Sequence, residues 1–194
     1  MQKYRQLQES KLSIFVRDCF GGILSHTLGL PFLSPFVNMF LNELEYIRFL
    51  RSPRVYMEEK LIFQKTAFEK NLQFDYPIYT LGNISLHMNH YKNFDEAVAK
   101  WEERKKRINW YNLFVTMSTV NPEALEQFDA LPYGKKVCFV PFKSNLNSAW
   151  YIDPAIKNDD SFGHCVRLYA LGDPFYYDMF DMLLYGKKTP LVKM

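Results

Sequence analysis

An α/β fold is what this sequence predicts: a single domain on one mainly parallel central sheet, with helices on both faces in three layers. Three observations carry that prediction. Apolar β-type runs occupy 13–17, 112–118 and 136–141. Segments of helical spacing lie between them, several opening on an Asn followed by Glu or Pro, as helix starts do. The two kinds of segment alternate, which is how strands are laid parallel through helical crossovers.

Taken in order, residues 2–11 are polar with weak helical character and read as a short N-terminal helix. Ser13 to Val16 reads as a buried strand, and Gly22 to Leu28 as a helix closed by Gly29. Pro31 and Pro35 bracket a loop, and Phe36 to Leu41 reads as a second strand. Asn42 and Glu45 have capping-box spacing for a helix over 43–51, with Leu44, Ile47 and Leu50 on one side; a helical segment through Met57 and Lys60 follows. Between Phe74 and His90 two short strands flank Gly82-Asn83. Asn93 and Glu96 open a helix over 94–108 whose apolar face is Phe94, Ala97, Val98, Trp101 and Ile108. Asn121-Pro122 opens another, to about Leu131. Beyond Pro141, strands at Ser148–Ile152 and Val166–Leu171 and a helix over Phe175–Tyr185 are expected. Residues 1–194 are expected to form one domain, with 143–194 as its C-terminal extension.

The chain carries 17 Phe and 13 Tyr among 194 residues, enough rings to fill a core and leave some for a surface. Its formal net charge is only +3 and its basic residues are scattered, so no concentrated basic face for nucleic acid is expected. Three cysteines cannot all pair and none has C-x-x-C spacing, which points to a reducing compartment. Met1 to Gln6 lack the apolar core of a signal peptide, and no apolar run nears the ~20 residues of a membrane span. The expectation is a cytoplasmic protein, at most peripheral to the inner membrane.

The sharpest chemical signal is Arg17-Asp18-Cys19-Phe20-Gly21-Gly22, where a strand gives way to a helix. Such a turn aims backbone N–H groups and the positive end of a helix at one spot, and a thiol there is a candidate nucleophile. The competing reading of Cys19 is a small thiol packed behind a turn. Gly21 and Gly22 are candidates for an oxyanion or phosphate cradle, or for a turn needing positive φ; the absence of a following Lys-Ser/Thr argues against a nucleotide-triphosphate loop. His87 and His90 end a β segment just before a capped helix, where a general base belongs, and His90 is the preferred choice. They are also ordinary structural histidines by type. Asp18 is a candidate to orient the imidazole. Cys138 sits mid-strand among Val and Phe and reads as core; Cys165 has no evident role. No metal site is expected, although Asp159-Asp160 would suit a divalent ion in a glycosyltransferase. Arg104 to Arg107 reads as a solvated helix end, with phosphate contact as the alternative. The rings of Phe175, Tyr176, Tyr177 and Phe180 read as the packed face of the last helix, or as platforms for sugar rings.

Several separated segments resemble a bacterial family of uncharacterised proteins, of the DUF1919 type. They are the Cys-aromatic-Gly-Gly turn, Leu28-Gly29-Leu30-Pro31, Ser34-Pro35-Phe36-Val37, Tyr46-Ile47-Arg48-Phe49-Leu50, His87 through Tyr91, Trp101-Glu102-Glu103-Arg104, Arg107-Ile108-Asn109 and Phe128-Asp129-Ala130-Leu131-Pro132. They appear in order and span most of 13–142. The family's usual turn has Asn-Asn before the Cys and Trp after it; here Arg17-Asp18 and Phe20 stand there. Members are often labelled exopolysaccharide biosynthesis proteins. The resemblance therefore implies a surface-polysaccharide role, with a carbohydrate or lipid-linked sugar as substrate. Cys19 with a histidine suggests an acyltransferase taking its group from acyl-coenzyme A. The alternatives are a nucleotide-sugar-dependent glycosyltransferase and a non-enzymatic carbohydrate-binding protein.

Overall fold

The computed structural model describes residues 1–152 and 177–191. Four strands, β1 (Ser13–Val16), β5 (Leu113–Ser118), β6 (Lys136–Val140) and β7 (Ala149–Tyr151), form a sheet in the order β1-β5-β6-β7. All three pairings are parallel, the first running from Ser13 opposite Leu113 to Val16 opposite Thr116. Strands β1, β5 and β6 are Val- and Phe-rich and buried along almost their whole length, as a parallel sheet requires.

The sheet does not stand alone. β2 (Leu61–Glu69), β3 (Phe74–Leu81) and β4 (Ile84–His87) form a separate antiparallel meander, with Gly82 at φ +59° in the turn between β3 and β4. The expectation of one central sheet is corrected to that extent. Strand β2 leaves no signal in the sequence, because most of its residues are exposed on both faces and no apolar alternation marks it.

Seven helices lie among the described residues: α1 (Gln2–Glu9), α2 (Phe20–Thr27), α3 (Glu43–Arg51), α4 (Pro53–Glu58), α5 (Phe94–Lys105), α6 (Pro122–Asp129) and α7 (Met179–Tyr185). Asn93 and Asn121 cap α5 and α6 by accepting from the Glu96 and Glu123 amides. Asn42 does not cap α3 with its side chain, and Glu45 instead accepts from the Ser85 amide of β4. The buried face of α3 is Tyr46, Ile47, Phe49 and Leu50, while Leu44 is exposed. Through these contacts α3 touches both α6 and β4 and links the two sheets. The last helix starts at Met179 rather than Phe175, since Asp178 caps it and Tyr177 is drawn into a bridge with Pro190. The strand expected over Val166–Leu171 lies outside the described residues, as do Asp159, Asp160, Cys165, Phe175 and Tyr176.

Phe36 to Leu41 is not a strand. Asn38 has φ +64°, which breaks an extended run, and only Phe40 makes a bridge, to His87. The segment threads the core instead. Phe36 packs edge-on against Phe15, Phe49, Tyr46 and Trp101, with centroids 4.9–6.2 Å away. Leu41 N–H donates to the Arg17 carbonyl just past β1.

The chain's first and last helices meet. Lys3 Nζ lies 2.9 Å from Asp178 Oδ2 and 2.7 Å from Asp181 Oδ1, and Tyr185 OH donates to Gln6 Oε1. Its bonds to Asp181 and then Asp178 raise the Lys3 pKa to about 12, while Lys3 and then Thr189 hold Asp181 below the usual carboxylate value. A depressed carboxylate stabilises the fold above its unfolded pKa and stops doing so as pH falls through the folded one. The raised amine contributes below its unfolded value of 10.5 and fades as pH rises through about 12. Acidification below the ordinary carboxylate range is therefore expected to loosen α1 from α7. Thermal melts against pH check this: Lys3→Met should flatten the acid slope, and an unchanged slope would refute the link.

Candidate functional site

Helix α2 leaves β1 through a tight turn, and its start is set by Asp18, whose Oδ1 accepts from the Phe20 N–H at 2.9 Å. Cys19 is the residue that opens the helix, which therefore begins two residues earlier than the spacing suggests. From Cys19, the positions 22, 23, 26 and 27 recur on one face of α2 at helical spacing. Cys19, Gly22, Ile23, His26 and Thr27 line one wall of a cleft of about 530 Å³. The loop after α2 supplies the opposite wall through Phe32, Val37 and Asn38, and His90 completes it.

The two glycines have different tasks. Neither has positive φ. A Cβ on Gly21 would lie 2.6 Å from Val16 Cγ1 and 3.2 Å from Ile14 Cγ2, so its bareness lets α2 sit directly on β1. A Cβ on Gly22 would meet only Val37 Cγ1, at an ordinary 3.4 Å. Both amides lie in the first helical turn, where N–H groups lack an intrahelical acceptor and point toward the N-terminal end. Gly21→Ala is expected to cost about 1–3 kcal/mol by overpacking, outweighing the ~1 kcal/mol gained in helix propensity. Gly22→Ala, with no clash, is expected to be neutral or stabilising. Denaturant unfolding of both variants checks the contrast, and a Gly21→Ala protein as stable as the parent contradicts it.

The two histidines part company. His90 lies in a turn closed by Tyr91 N–H to the Met88 carbonyl, with Met88 and Tyr91 both buried on either side of it. Its Nε2 is 3.3 Å from Cys19 Sγ, across 71 residues of sequence. That is hydrogen-bonding distance for sulfur, with a half-buried thiol and an exposed imidazole. His87 is elsewhere: its ring stacks on Phe40 at 4.4 Å and 17°, and burial lowers its pKa. Asp18 contacts neither imidazole among the described residues; its bond is to the helix start. Cys138 is fully buried in β6, where burial pushes its thiol well up, so it is a packing residue.

Four residues of the site have roles that the sequence expectations do not include. His26, two turns beyond Cys19, follows from helical spacing once the thiol is taken as the first position. Phe32 and Val37 belong to a segment read partly as strand. Arg104 is no solvated helix end: its Nη1 donates to Tyr91 OH at 2.7 Å and toward the Val37 carbonyl at 3.4 Å, and its guanidinium lies 5.9 Å from the Phe32 ring centroid. It ties the far wall of the cleft to α5 and to the turn that carries His90.

Among the described residues no group of three or more His, Cys, Asp or Glu is placed to hold a metal ion, and no helix is long and apolar enough to cross a membrane. The family profile described as "Domain of unknown function (DUF1919)" matches residues 1–186. The chain belongs to this family. A Haemophilus influenzae protein named "Uncharacterized protein" is 31% identical over 182 residues, covering 91% of this chain and 84% of the relative. The match to the DUF1919 family spans both cleft walls and the turn bearing His90.

Proposed function

We propose that this DUF1919 chain is a thiol-dependent acyltransferase that moves an acyl group from a thioester to a carbohydrate hydroxyl in surface-polysaccharide synthesis. The observation that carries the reading is the 3.3 Å contact between Cys19 Sγ and His90 Nε2 at the mouth of α2. Nucleophile and base must lie within hydrogen-bond reach, and a helix N-terminus favours the negative charge the thiol must develop. The cleft supports it: Ile23, Phe32 and Val37 give an apolar lining for an acyl chain.

In this reading His90 takes the Cys19 proton and the thiolate attacks the thioester carbonyl. A carbon–sulfur bond to Cys19 forms, the donor's carbon–sulfur bond breaks, and the departing thiolate takes the proton from His90. The sugar hydroxyl then attacks the acyl-cysteine as His90 removes its proton. The new ester forms, Cys19 leaves as thiolate and recovers the proton. The Gly21 and Gly22 amides are the donors suited to the oxyanion of both steps. Asp18, by fixing the first turn, aims them. His87, stacked away from the cleft, keeps a structural part.

The test is direct. On incubation with a series of acyl-coenzyme A donors, intact-protein mass spectrometry is expected to show one acyl group added, mapping to Cys19, with release of free coenzyme A. Donors that leave the protein mass unchanged and release no coenzyme A would reject the reading.

A further inference from the structure

A second cleft, of about 290 Å³, opens at the carboxyl ends of β6 and β7. We propose that it is a binding site for a sugar phosphate. All four strands of the parallel sheet run the same way, so this cleft and the turn bearing Cys19 lie on the same edge, where α/β sheets place ligands. From β1 to β7 that edge spans roughly 14 Å, three strand spacings.

The lining has the chemistry of such a ligand. Lys143 and Lys188 both reach it, and no carboxylate is among the described residues that line it. Lys188 is held in place: its Nζ donates to the Ala149 carbonyl at 2.8 Å and sits 5.7 Å over the Tyr177 ring. That seat removes solvent from the ammonium and lowers its pKa, a cost that an arriving phosphate relieves. Tyr177 is in turn fixed by donating to the Tyr151 carbonyl, and Phe142 and Tyr151 add two more rings beside it. Ser144 Oγ accepts from the Leu146 N–H and so shapes the loop, while Asn145 offers both a donor and an acceptor to sugar hydroxyls. The volume is at the low end of ligand cavities, ~300–1,000 Å³, which suits one sugar ring with its phosphate.

The site is argued from its own residues and does not depend on acyl transfer. The experiment uses the Cys19→Ala chain, so that thiol chemistry plays no part in the outcome. Isothermal titration with glucose 1-phosphate is expected to saturate, more tightly than with inorganic phosphate or glucose alone. Lys188→Met and Lys143→Met should each weaken it about 10-fold, the effect of losing one charged hydrogen bond. Lys143 is exposed and its variant is expected to fold even if the Lys188 variant does not. No saturable binding, affinity equal to that for inorganic phosphate, or binding unchanged in Lys143→Met would each overturn the proposal.

Discussion

Cys19→Ala is expected to abolish acyl-enzyme formation while leaving the protein folded, and His90→Ala to slow it by about 10²–10⁴-fold. The asymmetry follows from the roles. Without the sulfur no covalent intermediate can form; without the imidazole the thiol remains, and solvent takes its proton less efficiently. His26→Ala is the control. His26 lines the same cleft but two helical turns along α2, so its loss should reduce the rate by less than about 10-fold, below the range for a general base. Single-turnover acylation followed by mass spectrometry separates the three variants, with thermal melting to confirm that each is folded. A Cys19→Ala protein that still accepts the acyl group would remove the thiol from the mechanism. A His26→Ala defect as deep as that of His90→Ala would move the base.

Phe36→Ala is expected to be the most damaging substitution away from the thiol. The ring is buried and packs edge-on against four others, Phe15, Phe49, Tyr46 and Trp101, so it joins β1, α3 and α5 at one point. Emptying such a site costs about 3–5 kcal/mol, and in a domain of this size lowers the melting temperature on the order of 10 °C. The cleft should suffer as well, because Val37 follows directly and Phe32 lies in the same loop. Phe36→Leu, which refills most of the volume, is expected to recover the larger part of both losses. A Phe36→Ala protein melting within about 3 °C of the parent would show that the core closes around the gap.

How far the sequence discloses this molecule depends on where each signal is stored. Strands β1, β5 and β6 are legible because a buried parallel strand must be apolar on both faces, and Val137, Phe139 and Val140 show it plainly. Helices α5 and α6 are legible from Asn93 and Asn121, whose capping bonds are local. Strand β2 is not, since its pairing with β3 is backbone hydrogen bonding and its exposed side chains carry no period. Phe36 to Leu41 misleads for the opposite reason: it is apolar because it is buried, yet Asn38 keeps it from extending. At the site, the position of Cys19 after β1 can be read locally. Its approach to His90 cannot, because a contact across 71 residues depends on where the antiparallel meander is set against β1. The choice between His87 and His90 turns on the ring of Phe40, which no spacing reveals.

The pairing of α1 with α7 bears on how the molecule is made. Lys3 meets Asp178 across 175 positions of sequence, and Tyr4 packs on Phe180 at 6.3 Å. At ~5–20 residues per second of synthesis, the partners of the N-terminal helix leave the ribosome on the order of ten seconds or more after it does. Until then the sides of Lys3, Tyr4 and Gln6 that meet α7 stay uncovered. The sheet containing β1, β5 and β6 can assemble on the nascent chain, and Tyr4 and Gln8 can reach the Leu28 carbonyl once α2 is made, but the seam between α1 and α7 closes only after the C-terminal helix has emerged.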